Sequence, residues 1–257
     1  MGRLAPYSGL VERWQERVIV AYLDEPPFGV PTGAGDRPSG CDMDLAHHVL
    51  TVVGAANVEY RLTTFPELIP GLLDGRWDMT TPIFITDERA ELVGFSRAVW
   101  AAEDGFVVRR SDVRRYASYG AIAASPSAVL AVVEAQVQGQ TALRAGVPHE
   151  RIIEFPDQDA AVAAVRDGSA DASASTAAGN RAYLQRSGEP TLAAVTDRSD
   201  ALRGRLPQGA FAFGPAALGL RAAVDHALGD YLGTPEHLDV MARYGFSPLD
   251  LQGVIHR

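Results

Sequence analysis

The chain has 257 residues, 47% hydrophobic and 21% charged, the composition of a globular protein able to bury one large core or two modest ones. With 23 basic against 32 acidic residues its formal charge is -9, so it repels polyanions, and nucleic acid is not an expected partner. The single cysteine, Cys41, excludes an internal disulfide framework and a multi-cysteine metal site.

The opening stretch carries Glu12, Arg13, Glu16 and Arg17 where a secretory signal needs an unbroken apolar run. A cytoplasmic location is therefore expected, with an extracytoplasmic one the alternative if a leader or lipoprotein anchor has been trimmed. No apolar run approaches the roughly 18 residues of a membrane span, so no membrane insertion is expected.

VIVAYL at 18–23 is apolar, β-branched and stopped by Pro26 and Pro27, which predicts a buried strand ending in a loop. The loop PTGAGDRPSG at 31–40 has two close glycines but lacks the third, helix-opening glycine of a dinucleotide fingerprint, and reads as a turn. Asp44 is the expected N-cap of a helix with Leu45, Val49, Leu50 and Val53 on one face and Gly54 at its end. A strand at 58–62 and a helix at 67–75 follow, and this βαβα order predicts a sheet with parallel strands.

A small unit occurs twice, LLDGRWDMTT at 72–81 and VRDGSADASA at 165–174, each reading helix, Asp-Gly, two residues, Asp, strand. Gly75 and Gly168 can take the left-handed conformation that ends a helix. Two similar α/β lobes are implied: residues 1–104 with 205–257, and residues 105–204. The second opens on a strand in 101–110 and a crossover over 111–128. It then alternates strand 129–133, helix 140–146, strand 151–155, helix 159–168 and strand 170–176. Residues 211–232 read as a strand and a helix with Leu218, Ala222, Leu228 and Leu232 as its apolar face, returning to the first lobe.

PPF at 26–28, GCDMDLA at 40–46, LIPGLLDGRWD at 68–78, ITDERAELVGFS at 85–96 and DGSADA at 167–172 together resemble the bacterial extracellular solute-binding proteins of the polar amino-acid type, above all their ectoine-binding branch. The resemblance implies an α/β, type-2 periplasmic-binding-protein fold, two lobes joined by a two-strand hinge, closing on one small zwitterion. It further implies a monomer, an ABC-type permease as partner, and no cofactor or metal.

Thr86 can cap a helix whose third residue is Arg89, and a planar guanidinium there meets a carboxylate with two charge-assisted bonds. By resemblance Arg89 is the carboxylate anchor; the plain alternative is a surface Arg paired to Glu88 or Glu91. Amino-acid binders place a small hydroxyl residue and an aspartate around the ligand's α-ammonium, and here those positions hold Phe84 and Thr176. Thr81 falls in the same ligand-facing stretch.

Phe28 and Phe84, joined by Phe65 or Trp100, are candidate walls for a delocalised or alkylated cation, with Glu25 as counter-charge. The alternatives are core packing for the rings and a solvated loop for Glu25. In the second lobe a helix beginning near Gln136 offers free backbone amides, with Gln138 the side-chain candidate. Asp42 and Asp44 are weighed as metal ligands and set aside, and His47 and His48 face different directions on a helix. An enzyme of lyase or cyclase type on the same fold, with Glu25 as general acid or base, is the alternative function.

Overall fold

The computed structural model describes residues 13–33, 36–197, 206–246, 250–251 and 253–255. In chain order the elements are α1 (Arg13–Glu16), β1 (Val18–Tyr22), α2 (Cys41–Val52), β2 (Val58–Leu62), α3 (Leu68–Leu73), β3 (Met79–Thr80), β4 (Ile83–Phe84), α4 (Asp87–Ala90), β5 (Gly94–Phe95), β6 (Trp100–Ala101) and β7 (Asp104–Arg109). There follow α5 (Tyr119–Ala124), β8 (Leu130–Val133), α6 (Val137–Arg144), β9 (Ile152–Phe155), α7 (Gln158–Asp167), β10 (Ala172–Thr176), α8 (Ala177–Ser187) and β11 (Leu192–Thr196). The last are β12 (Gln208–Ala210), β13 (Ala212–Phe213), α9 (Leu218–Tyr231) and α10 (Pro235–Arg243).

Two five-stranded sheets carry the fold, one ordered β2-β1-β3-β13-β5 and the other β9-β8-β10-β7-β11. In each, three parallel strands adjoin two antiparallel ones. All five residues of β1 are buried, as expected of a strand covered on both faces. The two sheets have separate apolar cores on their two sides, so each lobe buries its own interior.

The repeated unit has the same job in both sheets. Gly75 and Gly168 sit at φ 69 and φ 89 and let helices α3 and α7 end. Asp78 Oδ2 then accepts the amide of Ile19 at 2.8 Å, and Asp171 Oδ2 accepts the amide of Val129 at 2.9 Å. The backbone amides of Asp78 and Asp171 donate back to the carbonyls of Ile19 and Val129. A carboxylate thus clasps the start of β1 in one lobe and of β8 in the other, each the second strand of its sheet.

The described residues at the junction of the lobes pair with one another. On one side Asp197 donates its amide to the Asp104 carbonyl at 2.9 Å; on the other Ala102 donates to the Pro207 carbonyl at 3.1 Å. Beneath them β12 pairs antiparallel with both β4 and β6.

Two sequence expectations are corrected. Helix α2 begins at Cys41, with Gly40 at the cap position, rather than at Asp44. The amides of Cys41 and Asp42 donate to the Pro27 and Phe28 carbonyls, so a distant backbone loop caps the helix. Asp44 instead accepts the Tyr244 hydroxyl at 2.8 Å and pairs with Arg37. On α9 the buried face is Leu220, Val224, Ala227, Leu228 and Tyr231; Leu218 is 62% exposed and Ala222 is exposed. The helix starts at Leu218, whose side chain points outward while Leu220, two residues on, begins the buried face.

Candidate functional site

The cleft is built first by the loop after β1. Gly40, at φ 126, lets that loop close on α2, and a Cβ there would meet the Phe28 carbonyl oxygen at 2.2 Å. Phe28 is thereby held over the cleft with its backbone tied to the helix start.

The small sheet supplies two more rings. Phe84 on β4 and Trp100 on β6 both lie in register with Gly209 of β12, one on each side. A Cβ on Gly209 would meet the indole at 2.2 Å, so glycine there makes room for it. The Trp100 ring system lies 5.2 Å from Phe28 and, edge-on, 5.3 Å from Phe84. These three buried rings both line a cavity of about 40 Å³ between the lobes and belong to the first lobe's core. The two readings open at the level of sequence are therefore compatible.

Glu25, Phe28, Thr81, Phe84, Gln138 and Thr176 all line this cavity, joined by Phe65, Gln136 and Ser175. Glu25 is not a solvated loop acid. Its Oε1 lies 3.4 Å from both Gln136 Nε2 and Ser175 Oγ of the other lobe. Burial raises its pKa above the ordinary value, against the lowering effect of those two donors.

Arg89 does not line the cavity. Thr86 caps α4 by accepting the Arg89 amide at 3.2 Å, and the buried guanidinium donates to the Phe84 carbonyl at 2.8 Å and to the Ala135 carbonyl at 2.9 Å. It also lies over the Phe65 ring at 5.3 Å. Two of its five N–H groups are used in these carbonyl bonds. Burial lowers its pKa to about 10, so it keeps its charge at neutral pH. Arg89 therefore bridges the lobes, and the surface pairing with Glu88 or Glu91 is not what holds it. Ala135, at φ 63, is the one non-glycine residue with positive φ among the described residues.

In the second lobe Gln136 is the N-cap position of α6 without a side-chain bond, and its Oε1 is buried with no partner. Gln138 is fixed from behind: its amide nitrogen donates to Asp104 Oδ1 at 2.8 Å while Tyr119 donates to Oδ2 at 2.9 Å. Burial raises Asp104 to about 6. Thr176 caps α8 by accepting the Gly179 amide at 3.0 Å, which occupies its hydroxyl oxygen in part.

Sequence reasoning missed three participants. Ser175 and Asp104 carry no motif and act only through partners far along the chain. Asp42 was weighed as a metal ligand, yet it accepts from Thr81 and Trp100 behind the cavity. Among the described residues no cluster of His, Cys, Asp or Glu is arranged to hold a metal, and no helix is long and apolar enough to cross a membrane.

Two α/β lobes and a lined cleft between them define a clamp for a small molecule. The family model for bacterial extracellular solute-binding proteins, family 3, matches residues 18–231, and the chain belongs to that family. It is 30% identical over 242 residues to a probable amino-acid ABC transporter periplasmic-binding protein of Sinorhizobium fredii, covering 92% of this chain and 79% of that one. The structure resembles EhuB in complex with hydroxyectoine, with a TM-score of 0.80 and 26% identity over 91% of this chain and 90% of that one. It also resembles an ancestral arginine-binding protein bound to glutamine, TM-score 0.77 and 21% identity over 89% and 97%. A third is the ancestral amino acid-binding protein AncCDT-1, a precursor of cyclohexadienyl dehydratase, TM-score 0.76 and 23% identity over 90% and 95%. The fold is the type-2 periplasmic-binding-protein fold.

Proposed function

We propose that this protein is the amino-acid-type solute-binding component of an ABC uptake system, working outside the cytoplasm, and that its ligand is a compact zwitterion with a delocalised or alkylated cation, as in ectoine-like molecules. The observation that carries this reading is the three-ring box of Phe28, Phe84 and Trp100 beside the partly buried Glu25. Ring faces attract a diffuse cation that cannot be satisfied by several fixed hydrogen bonds, and Glu25 supplies the opposite charge. Phe84 offers no acceptor to a primary ammonium, and the Thr176 oxygen already caps α8. Both features disfavour a free α-ammonium. The ligand carboxylate goes to the amides at the start of α6 and, once the lobes part and release it from the Ala135 carbonyl, to the Arg89 guanidinium, which does not face the cavity in the closed arrangement. A cavity of about 40 Å³ is small for such a ligand, so binding parts the lobes and recloses them around it.

A thermal-shift panel of hydroxyectoine, ectoine, glycine betaine, arginine and glutamine tests the proposal, since a ligand that binds only the native clamp raises its melting temperature. The cyclic zwitterions should give the largest shift, and Arg89→Ala should abolish it while leaving the far-UV spectrum unchanged. A larger shift with arginine or glutamine contradicts the reading.

The raised pKa of Glu25 favours one second reading, a lyase or cyclase that uses it for proton transfer. Incubating the best-shifting ligand with the protein for hours and following its mass and NMR spectrum separates the two. A binder returns the ligand unchanged.

A further inference from the structure

Asp42 is 1% exposed and lies behind the cavity wall, where no ligand contact requires it. Both carboxylate oxygens are filled by donors. Oδ1 accepts the Trp100 indole N–H at 3.0 Å and the Cys41 thiol at 3.5 Å, while Oδ2 accepts the Thr81 hydroxyl at 2.9 Å. Among the described residues no ion pair reaches it, so the core holds a carboxylate whose charge none of their cations balances. A structural bracket between Trp100 and Thr81 does not need that charge: an amide has the same shape, and its oxygen and nitrogen serve an indole N–H and a hydroxyl equally well.

We propose that Asp42 is a positioning residue that fixes the Trp100 indole and lends the aromatic box the negative charge by which it selects a cation. The inference rests on the reading of the box as the cation site. Gly209 makes room for the indole and the Asp42 bond sets its rotation, which holds the ring against Phe28 and Phe84. A hydrogen bond to an anion pushes electron density into the indole, and the ring face becomes more attractive to a cation. The same carboxylate holds Thr81, a second cavity residue, so one buried group sets two parts of the wall.

The titratable groups that face Asp42 are Glu25, from the loop after β1, and Cys41 on its own helix; Thr81 and Trp100 do not titrate. Burial pushes Asp42 up to about 7, the three donors pull it down, and Glu25 raises it. A cation in the box favours the ionised form, so affinity should rise with pH through that range.

The test has a ligand-free arm and a ligand arm, both on the full chain. In the first, the Trp100 indole N–H resonance, assigned with Trp100→Phe, is followed by NMR between pH values of about 5 and 9, which bracket the titration. It should shift with a midpoint near 7 in the wild type and stay flat in Asp42→Asn. In the second, hydroxyectoine is titrated calorimetrically across the same range. Wild-type affinity should rise with pH, whereas Asp42→Asn should bind about tenfold more weakly above neutrality and lose the trend, the size of one cation–π contact. Trp100→Phe keeps a ring without the donor and should flatten the trend in the same way.

An indole resonance that does not titrate, or titrates alike in wild type and Asp42→Asn, overturns the inference; so does an unchanged hydroxyectoine affinity in Asp42→Asn. If hydroxyectoine binds neither protein, the compact-zwitterion reading fails, and the indole titration still decides whether Asp42 charges Trp100.

Discussion

The two lobes share a scaffold and differ in what they present to the cleft. Their strand orders correspond place for place, and the carboxylates of Asp78 and Asp171 clasp the corresponding strands β1 and β8 in the same way. The faces diverge. The first lobe presents three rings, Glu25 and, behind them, Asp42; the second presents the start of α6 with Gln136, Gln138, Ser175 and Thr176. Arg89 of the first lobe reaches across to Ala135 of the second. The scaffold can thus be repeated while the cleft faces stay asymmetric, with rings and a carboxylate in one lobe and hydrogen-bonding side chains in the other.

Trp100→Ala should break this comparison most severely. The indole belongs to the first lobe's core as well as the box, and its loss should cost about 3–5 kcal/mol in urea unfolding as well as the binding of hydroxyectoine. If stability barely changes, the ring is not part of that core.

The buried carboxylates give a pH signature of similar sign in both lobes. Asp42 is raised from 3.8 to about 7 and Asp104 from 3.8 to about 6, so the folded state holds these protons more tightly than the unfolded chain. Their contribution favours the fold at acid pH and is lost as pH rises through that window. His237, lowered from 6.5 to about 4 by burial, acts in the opposite direction as pH falls. The difference between wild type and Asp42→Asn isolates one group: relative to the variant, the wild type should lose about 2–4 kcal/mol between acid and neutral pH. Parallel stability curves would mean that Asp42 titrates normally.

The two clasps can be compared directly. Removing either acceptor leaves a strand amide without its partner, so Asp78→Ala and Asp171→Ala should each cost about 1–3 kcal/mol in chemical unfolding. Asp171→Ala should sit at the upper end, because Asp171 also pairs with Arg109 at 2.7 Å. A neutral result in one lobe would show that the sequence repeat outlived its shared function. The smallest effect is expected at Ala135: Ala135→Gly relieves its left-handed conformation and should stabilise by less than about 1 kcal/mol. A destabilised variant would show that Ala135 does more through its methyl group than it loses through its backbone.

What could be read from the sequence was local. The Asp-Gly units announced the repeated helix-to-strand turn because the turn lies within a few residues, whereas the clasp did not show, its partners Ile19 and Val129 being 59 and 42 residues from Asp78 and Asp171. Thr86 and Arg89 were legible for the same reason, three residues apart on one helical turn. The α2 start was misplaced because its cap is a pair of backbone carbonyls from another loop, and backbone leaves no residue signature. The box itself depends on Phe84, Trp100 and Gly209 meeting in strand register, a relation set by β12 pairing with two strands more than a hundred residues earlier. The bracketing role of Asp42 was not legible because its partners Thr81 and Trp100 are 39 and 58 residues away.

Phe84 and Thr176 are proposed to turn an amino-acid clamp toward a cyclic or alkylated cation, which calorimetric titration of hydroxyectoine and arginine into wild type and a Phe84→Ser, Thr176→Asp variant decides. Wild type should prefer hydroxyectoine, and the variant, which restores a hydroxyl and a carboxylate to the ammonium site, should invert that preference by at least about tenfold, one charge-assisted hydrogen bond. Arginine binding more tightly than hydroxyectoine to the wild type, or an unchanged preference in the variant, would contradict it.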